Sequence, residues 1–259
     1  MTIAAVTNLL HCFRTFTALG AELSEAEWNS ASLCPGWSVK DVAAHLSGIE
    51  RALSGWVPSA ENPPPFDQIG AYMAEARGRS GAELLADMNA IVQGRQAELS
   101  AMADADFEAT SWTPVGVQTY GRFMAVRTFD FWVHEQDIRV PLGLEGHLDG
   151  GAAAMSLDEV RLSLGYIVGK RASIPEGQRI KIVLSGPVGG ELCATVDGRA
   201  RGVDRLDDPT ATVSTDLLTF MLLACGRIDP EVPIAAGKVS FAGDLSVAEQ
   251  LARNLRFTF

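Results

Sequence analysis

The glycine-rich break at residues 141–152 most constrains what this chain folds into, because the halves it separates obey different periodicities. Pro141 ends one pattern, and Gly143, Gly146, Gly150 and Gly151 follow closely. Before the break, apolar residues recur at helical spacing, as in the stripe Val39, Val42, Leu46, Ile49 and Leu53. After it, residues 179–184 alternate in polarity, turn through the Gly186, Gly189 and Gly190 cluster, and resume alternating at 192–196, a hairpin pattern. The sequence therefore predicts two domains, residues 1–145 and 150–259, joined by the glycine-rich segment.

In the first half, residues 4–23 read as a helix with one apolar side. Ser24 with Glu27, and Ser38 with Asp41, have the spacing of helix starts in which a cap and an acidic third residue exchange hydrogen bonds. Further long helices are expected from Ser38 through Leu53, over 74–102 and over 121–140. Loops are expected at 58–66, with its three successive prolines, and at 110–119. Four long helices with one longish connection describe an all-α four-helix bundle. The second half predicts helices over 158–170, 215–225 and 245–255, with strands at 179–184, 192–196, 211–213 and 238–241. That is a small α+β domain.

Charge and cysteine usage exclude several classes of partner. The formal net charge is -11, and no basic stripe breaks it, so a phosphate backbone would be repelled and no nucleic acid partner is expected. The four cysteines, Cys12, Cys34, Cys193 and Cys225, are far apart and form no metal-type or redox pair. They fit free thiols in a reducing, cytoplasmic setting. Residues 1–5 lack the basic start and long apolar run of a secretory signal, and the longest apolar stretch, 217–225, is too short to span a bilayer, so no membrane association is expected.

Chemistry concentrates on two of the four histidines. His45 lies at the edge of the apolar stripe that follows Ser38. Asp130 and His134 lie four apart in Phe129-Asp130-Phe131-Trp132-Val133-His134, and on a helix they stack on one face. Two imidazoles and one carboxylate from two helices form a three-ligand set that suits a zinc keeping an open position. A carboxylate among aromatic residues needs a partner, and Arg127 or Arg139 would satisfy it without any metal. Asp137, three after His134, is a rival ligand. Asp41 is four before His45, but its place in the cap favours a hydrogen bond there or in the outer shell of the metal. Cys34, ahead of Pro35-Gly36, reads as a small packed side chain.

The stretch Pro35-Gly36-Trp37-Ser38-Val39-Lys40-Asp41-Val42-Ala43-Ala44-His45-Leu46 resembles the metal-binding N-terminal domain of the mycothiol-dependent maleylpyruvate isomerase family, within the DinB-like four-helix-bundle superfamily. Residues 127–138, around Asp130, His134, Gln136 and Asp137, resemble that family's second metal motif, in its actinobacterial branch. The second half resembles the sterol-carrier-like domain that follows. The matching pieces there are Asp208-Pro209-Thr210-Ala211-Thr212-Val213, the apolar helix into Gly226-Arg227, and Val239 to Asp244. The resemblance implies a DinB-like bundle followed by a sterol-carrier-like α+β domain, with zinc held by His45, Asp130 and His134. It implies mycothiol as co-substrate, and the spacing of Asp41 and Asp137 suits them to the outer shell around those ligands. It also departs from the family at Asp130, where the characterised isomerase has Glu; the shorter side chain brings the metal closer to its helix or weakens its hold.

By the same resemblance, a zinc-held thiolate adds to a small electrophilic substrate, which is then isomerised or kept as the adduct. The family's substrate-holding arginine falls on Arg227, whose fork would hold a carboxylate in a cleft between the domains. Standing just after an apolar helix and a glycine, Arg227 equally suits a helix C-terminus, where a basic residue complements the helix dipole. A carrier of a small apolar ligand, with the bundle keeping a metal site that does no chemistry, is the competing function.

Overall fold

The computed structural model describes residues 2–258 and divides into two compact units, with the boundary between Gly146 and His147. Each unit has its own architecture.

The first unit is helical. Its elements are α1 (Thr2–Glu22), the short α2 (Glu25–Trp28), α3 (Val39–Leu53), α4 (Ile69–Ala76), α5 (Gly81–Ala101) and α6 (Tyr120–Arg139). Helix α1 packs on α5 and α6, and α3 packs on the same two helices, so α1, α3, α5 and α6 form the bundle. Its interior is filled by Leu9, Phe13, Phe16, Leu46, Leu53, Leu84, Phe123 and Phe131, each essentially inaccessible. Phe131 meets Phe13 and Phe16 edge-on at ring separations of 5.0 and 5.9 Å, the geometry that ring quadrupoles favour. Ser24 and Ser38 cap α2 and α3, with Glu27 and Asp41 each returning the hydrogen bond to the cap backbone.

Residues 74–102 are not one helix. Helix α4 ends at Ala76, and α5 restarts after Ser80, which accepts from the Glu83 amide while the Glu83 carboxylate takes the Ser80 amide. The segment Arg77-Gly78-Arg79-Ser80-Gly81 interrupts the apolar spacing, and Ser80 with Glu83 repeats the cap spacing of Ser24 with Glu27, so the break is marked in the sequence itself. Gly81 starts α5 directly beneath Trp28: a Cβ there would lie 2.1 Å from Trp28 Cδ1, and Trp28 is itself buried. Gly81→Ala is therefore expected to cost about 1–3 kcal/mol through overpacking, and a lowered melting temperature checks it. An unchanged midpoint would show that Trp28 gives way freely. Residues 110–119, expected as loop, contain a minimal antiparallel pair, β1 (Thr110–Ser111) and β2 (Gln118–Thr119), and Thr119 then caps α6.

The second unit is α+β. After α7 (Gly150–Leu162), α8 (Leu164–Tyr166) and a π-turn at 167–171 come β3 (Arg179–Ser185), β4 (Gly190–Asp197), β5 (Arg199–Val203) and β6 (Ala211–Asp216). The chain then continues through α9 (Leu217–Ala224), α10 (Glu231–Ala235), β7 (Ser240–Gly243) and α11 (Leu245–Arg253). The sheet order is β5-β4-β3-β6-β7, antiparallel except for the parallel β3 and β6. Ile180, Ile182 and Leu184 alternate inward on β3, as Ala211, Val213 and Thr215 do on β6; α9 packs on both strands and α11 on β6 and β7. Helix α7 starts eight residues earlier than the apolar pattern indicated, so Gly150 and Gly151 belong to a helix. Strand β5, Arg-Ala-Arg-Gly-Val, carries no alternation because it is a largely exposed edge. All four cysteines are buried and none is in a disulfide. No helix among the described residues is long and apolar enough to cross a membrane.

Candidate metal centre

Helices α3 and α6 bring His45, Asp130 and His134 together. Asp130 Oδ1 lies 3.5 Å from His134 Nε2, and Asp130 Oδ2 lies 3.9 Å from His45 Nε2. One donor atom from each of the three residues falls within 4.8 Å of the others. Around a tetrahedral zinc with bonds near 2.05 Å, ligand atoms stand about 3.3–3.4 Å apart. The observed spacing is within a few tenths of an ångström of that for two of the three ligands, and the donor set, two imidazole nitrogens and a carboxylate oxygen, is that of an open zinc site.

The surroundings orient these groups. His134 Nδ1 is 2.8 Å from Asp137 Oδ2, which directs the remaining nitrogen, Nε2, towards Asp130 and His45. A carboxylate behind a ligating imidazole fixes ring and tautomer in this way. Asp137 is fully buried, and its Oδ2 also accepts from Cys34 Sγ at 3.1 Å. The Leu33 amide donates to the Asp137 carbonyl at 3.0 Å, so the loop carrying Cys34 and Trp37 is tied to α6. Trp37 lies against both imidazoles, with ring separations of 5.2 Å to His45 and 6.3 Å to His134. The two imidazoles meet edge-on at 5.1 Å.

The charges follow from this packing. Burial pushes His45 down to about 4, with His134 and Arg127 acting in the same direction against Asp130. At neutral pH His45 is therefore an uncharged imidazole beside a carboxylate, not half of an ion pair. Burial also opposes charge on His134, but Asp130 and Asp137 outweigh it and push His134 up to about 10. Asp130 is held down to about 2: burial works the other way, and Arg127, His134 and His45 prevail. In the metal-free centre a proton on His134 balances the carboxylates.

Asp41 sits elsewhere. Its carboxylate accepts from the Ser38 amide and hydroxyl and from Arg77 Nε at 2.7 Å. It holds the start of α3 and no imidazole, because an N-terminal third residue is turned back to the cap. Arg227, in the second unit, follows Gly226, whose φ is +67°. The Arg227 amide donates to Leu222 O and the Gly226 amide to Leu223 O, which closes α9 in a Schellman motif. Arg227 Nη1 also donates to Cys225 O at 3.1 Å.

Three neighbours of the centre were not assigned to it from the sequence: Cys34, Trp37 and Glu50. Glu50 is fully buried and accepts from Arg127 Nε at 2.9 Å and Arg95 Nε at 3.2 Å. An ionisable residue at an inward position of α3 was the available clue. Arg127, one of the two basic partners foreseen for Asp130, is the one that pairs with it, through Nη1 and Oδ2; Arg139 instead pairs with Glu135.

The family model described as the mycothiol maleylpyruvate isomerase N-terminal domain matches residues 9–139, more than half of the chain. That described as the MDMPI C-terminal domain matches residues 154–250. The chain belongs to the mycothiol maleylpyruvate isomerase family of enzymes. All three candidate ligands lie within the N-terminal match, and Arg227 lies within the C-terminal one. The crystal structure of the mycothiol-dependent maleylpyruvate isomerase has a TM-score of 0.64 to this chain at 16% identity, covering 93% of each chain. A histidine-to-alanine variant of that isomerase gives 0.62 at 16% identity, again over 93% of each. At this identity the likeness is one of fold. A sterol carrier protein 2-like protein from Aedes aegypti is also similar, with a TM-score of 0.32 at 15% identity, over 39% of this chain and 96% of that one. No curated protein matches the sequence.

Proposed function

We propose that this chain is a metal-dependent enzyme that activates the sulfur of mycothiol and delivers it to a small electrophilic substrate, either isomerising that substrate or transferring the thiol. The observation that carries this reading is the convergence of His45, Asp130 and His134 on one point, with His134 oriented from behind by Asp137. When bound, a divalent metal, zinc by preference for this donor set, supplies the Lewis acidity that makes a coordinated thiol a nucleophile at neutral pH. The protein supplies the rest. Asp137 fixes the His134 ring, Arg127 holds Asp130, and Trp37 packs against both imidazoles. Family membership supports mycothiol as the thiol.

The test uses purified full-length protein, mycothiol and a reporter electrophile such as monochlorobimane. Rate acceleration that disappears with chelator and returns with zinc is the expected result. A protein that holds metal but never accelerates thiol addition, to this reporter or to maleylpyruvate, would remove the proposal. Co-purifying lipid in such a protein would favour a carrier.

Arg227 is proposed as the substrate-holding residue beside its role at the end of α9. Arg227→Lys keeps the charge but loses the planar fork. Turnover of an acidic substrate is expected to fall at least about tenfold, since a charged hydrogen bond is worth roughly 1.5–3 kcal/mol, while the melting temperature stays put. Full activity in this variant confines Arg227 to closing the helix.

A further inference from the structure

Arg127 is committed to the metal centre in a way that stability alone does not require. Its side chain is 4% exposed. Nε donates to Glu50 Oε1 at 2.9 Å, and Nη1 donates to Asp130 Oδ2. Nη2 is buried with no hydrogen-bond partner among the described residues. A buried donor left unmade is costly, so the guanidinium holds its place on Asp130 at the expense of its own hydrogen bonding. That place is fixed from behind. Glu50 Oε2 accepts from Arg95 Nε at 3.2 Å, and Arg95 continues to Glu98 at 2.5 Å and to the Tyr120 hydroxyl at 3.0 Å. The fork that reaches Asp130 is thus tied to α3 through Glu50 and to α5 through Arg95.

The consequence falls on the two oxygens of Asp130. Oδ2 faces the Arg127 cation, which repels a second cation on that side. Oδ1 is turned to His134 Nε2 at 3.5 Å. A free carboxylate binds metals through one oxygen or both, whereas one gripped on Oδ2 by a fixed fork offers Oδ1.

We propose that Arg127, anchored by Glu50 and Arg95, is a positioning residue that makes Asp130 a one-oxygen metal ligand through Oδ1. The inference rests on the metal reading of the centre given above. A one-oxygen carboxylate keeps the protein's share of the coordination at three, and this leaves room for a thiol and a substrate atom.

Cobalt(II) tests this without any substrate, because its visible absorption reports coordination number. Metal-free wild type, Arg127→Lys and the charge-balanced pair Glu50→Gln with Arg127→Gln are titrated with cobalt, with circular dichroism as the check on folding. Lysine keeps a charge opposite Glu50 but is a single point donor without the fork that spans Glu50 and Asp130; the double variant removes the pair without leaving one buried charge. The wild type is expected to give the intense bands of a four-coordinate ion. The variants are expected to give weak, higher-coordinate bands and about 10–100-fold weaker binding, the usual effect of losing an outer-shell partner. A folded variant with the wild-type spectrum, whether its affinity is unchanged or reduced, overturns the assignment to Arg127. A wild-type protein that binds no cobalt removes the metal centre itself, and this inference with it.

Discussion

His45→Ala is expected to strip the protein of its metal and of all thiol-dependent turnover while leaving the fold in place. His45 sits at the rim of the bundle, uncharged at neutral pH, with a 23% exposed side chain. Its removal opens little core and strands no buried charge. It does remove one of the three proposed protein ligands. Changes in the outer shell of a metal site usually cost 10–100-fold in affinity, so loss of a ligand is expected to cost more than about a hundredfold. Elemental analysis after purification without nickel or chelator reads the result: zinc near one per chain in wild type, a small fraction in the variant, with matching circular dichroism. The companion change His134→Ala gives the same loss of metal but a larger loss of stability, because it also leaves the buried Asp137 and the half-buried Asp130 without the imidazole that serves both. A His45→Ala protein with wild-type zinc content would place the metal elsewhere, and Cys34, His134 and Asp137, the other cluster with suitable donors, would then be the candidate.

The bundle and the clustering of His45, Asp130 and His134 were legible because both rest on local rules. Ser38 with Asp41 starts α3 as its spacing requires, and the start of α3 fixes where His45 faces. Asp130 and His134 share a face because four residues make about one helical turn. What the sequence did not give was the set of contacts made between distant segments. Glu50 and Arg95 are 45 residues apart, and neither side chain alone signals a buried network. Cys34 reached Asp137 only because the loop after α2 hydrogen-bonds to the end of α6. Asp41 shows the opposite case: its spacing from His45 fits a shared face, yet the cap and Arg77 claimed the carboxylate. The edge strand β5 was obscured for a related reason, since apolar periodicity reports burial and an exposed edge creates none; the break between α4 and α5, by contrast, is written locally in Gly78, Gly81 and the cap spacing of Ser80 with Glu83.

The pH dependence of stability should differ between the metal-free and the metal-loaded protein, and the difference follows from the opposite shifts of the two histidines. His134 is raised from its ordinary 6.5 to about 10. Its proton therefore stabilises the folded metal-free protein fully below pH 6.5, and that contribution drains away as pH rises towards 10. His45 is lowered to about 4. Its neutral form therefore favours the fold above pH 6.5, and that contribution is lost as pH falls through 4. The metal-free protein should accordingly melt highest near pH 6.5 and lose stability on both sides, by an amount on the order of a few kcal/mol at either extreme. A metal on His134 Nε2 requires the unprotonated imidazole, so the loaded protein has no His134 proton to lose and its alkaline decline should vanish. Its acid decline should steepen instead, because protons compete with the metal for both rings. Melting curves of the two forms from pH 4 to 10 make the comparison. A metal-free protein of constant stability between pH 6.5 and 9 would mean that His134 is neutral there, and the charge balance drawn around Asp130 and Asp137 would be wrong.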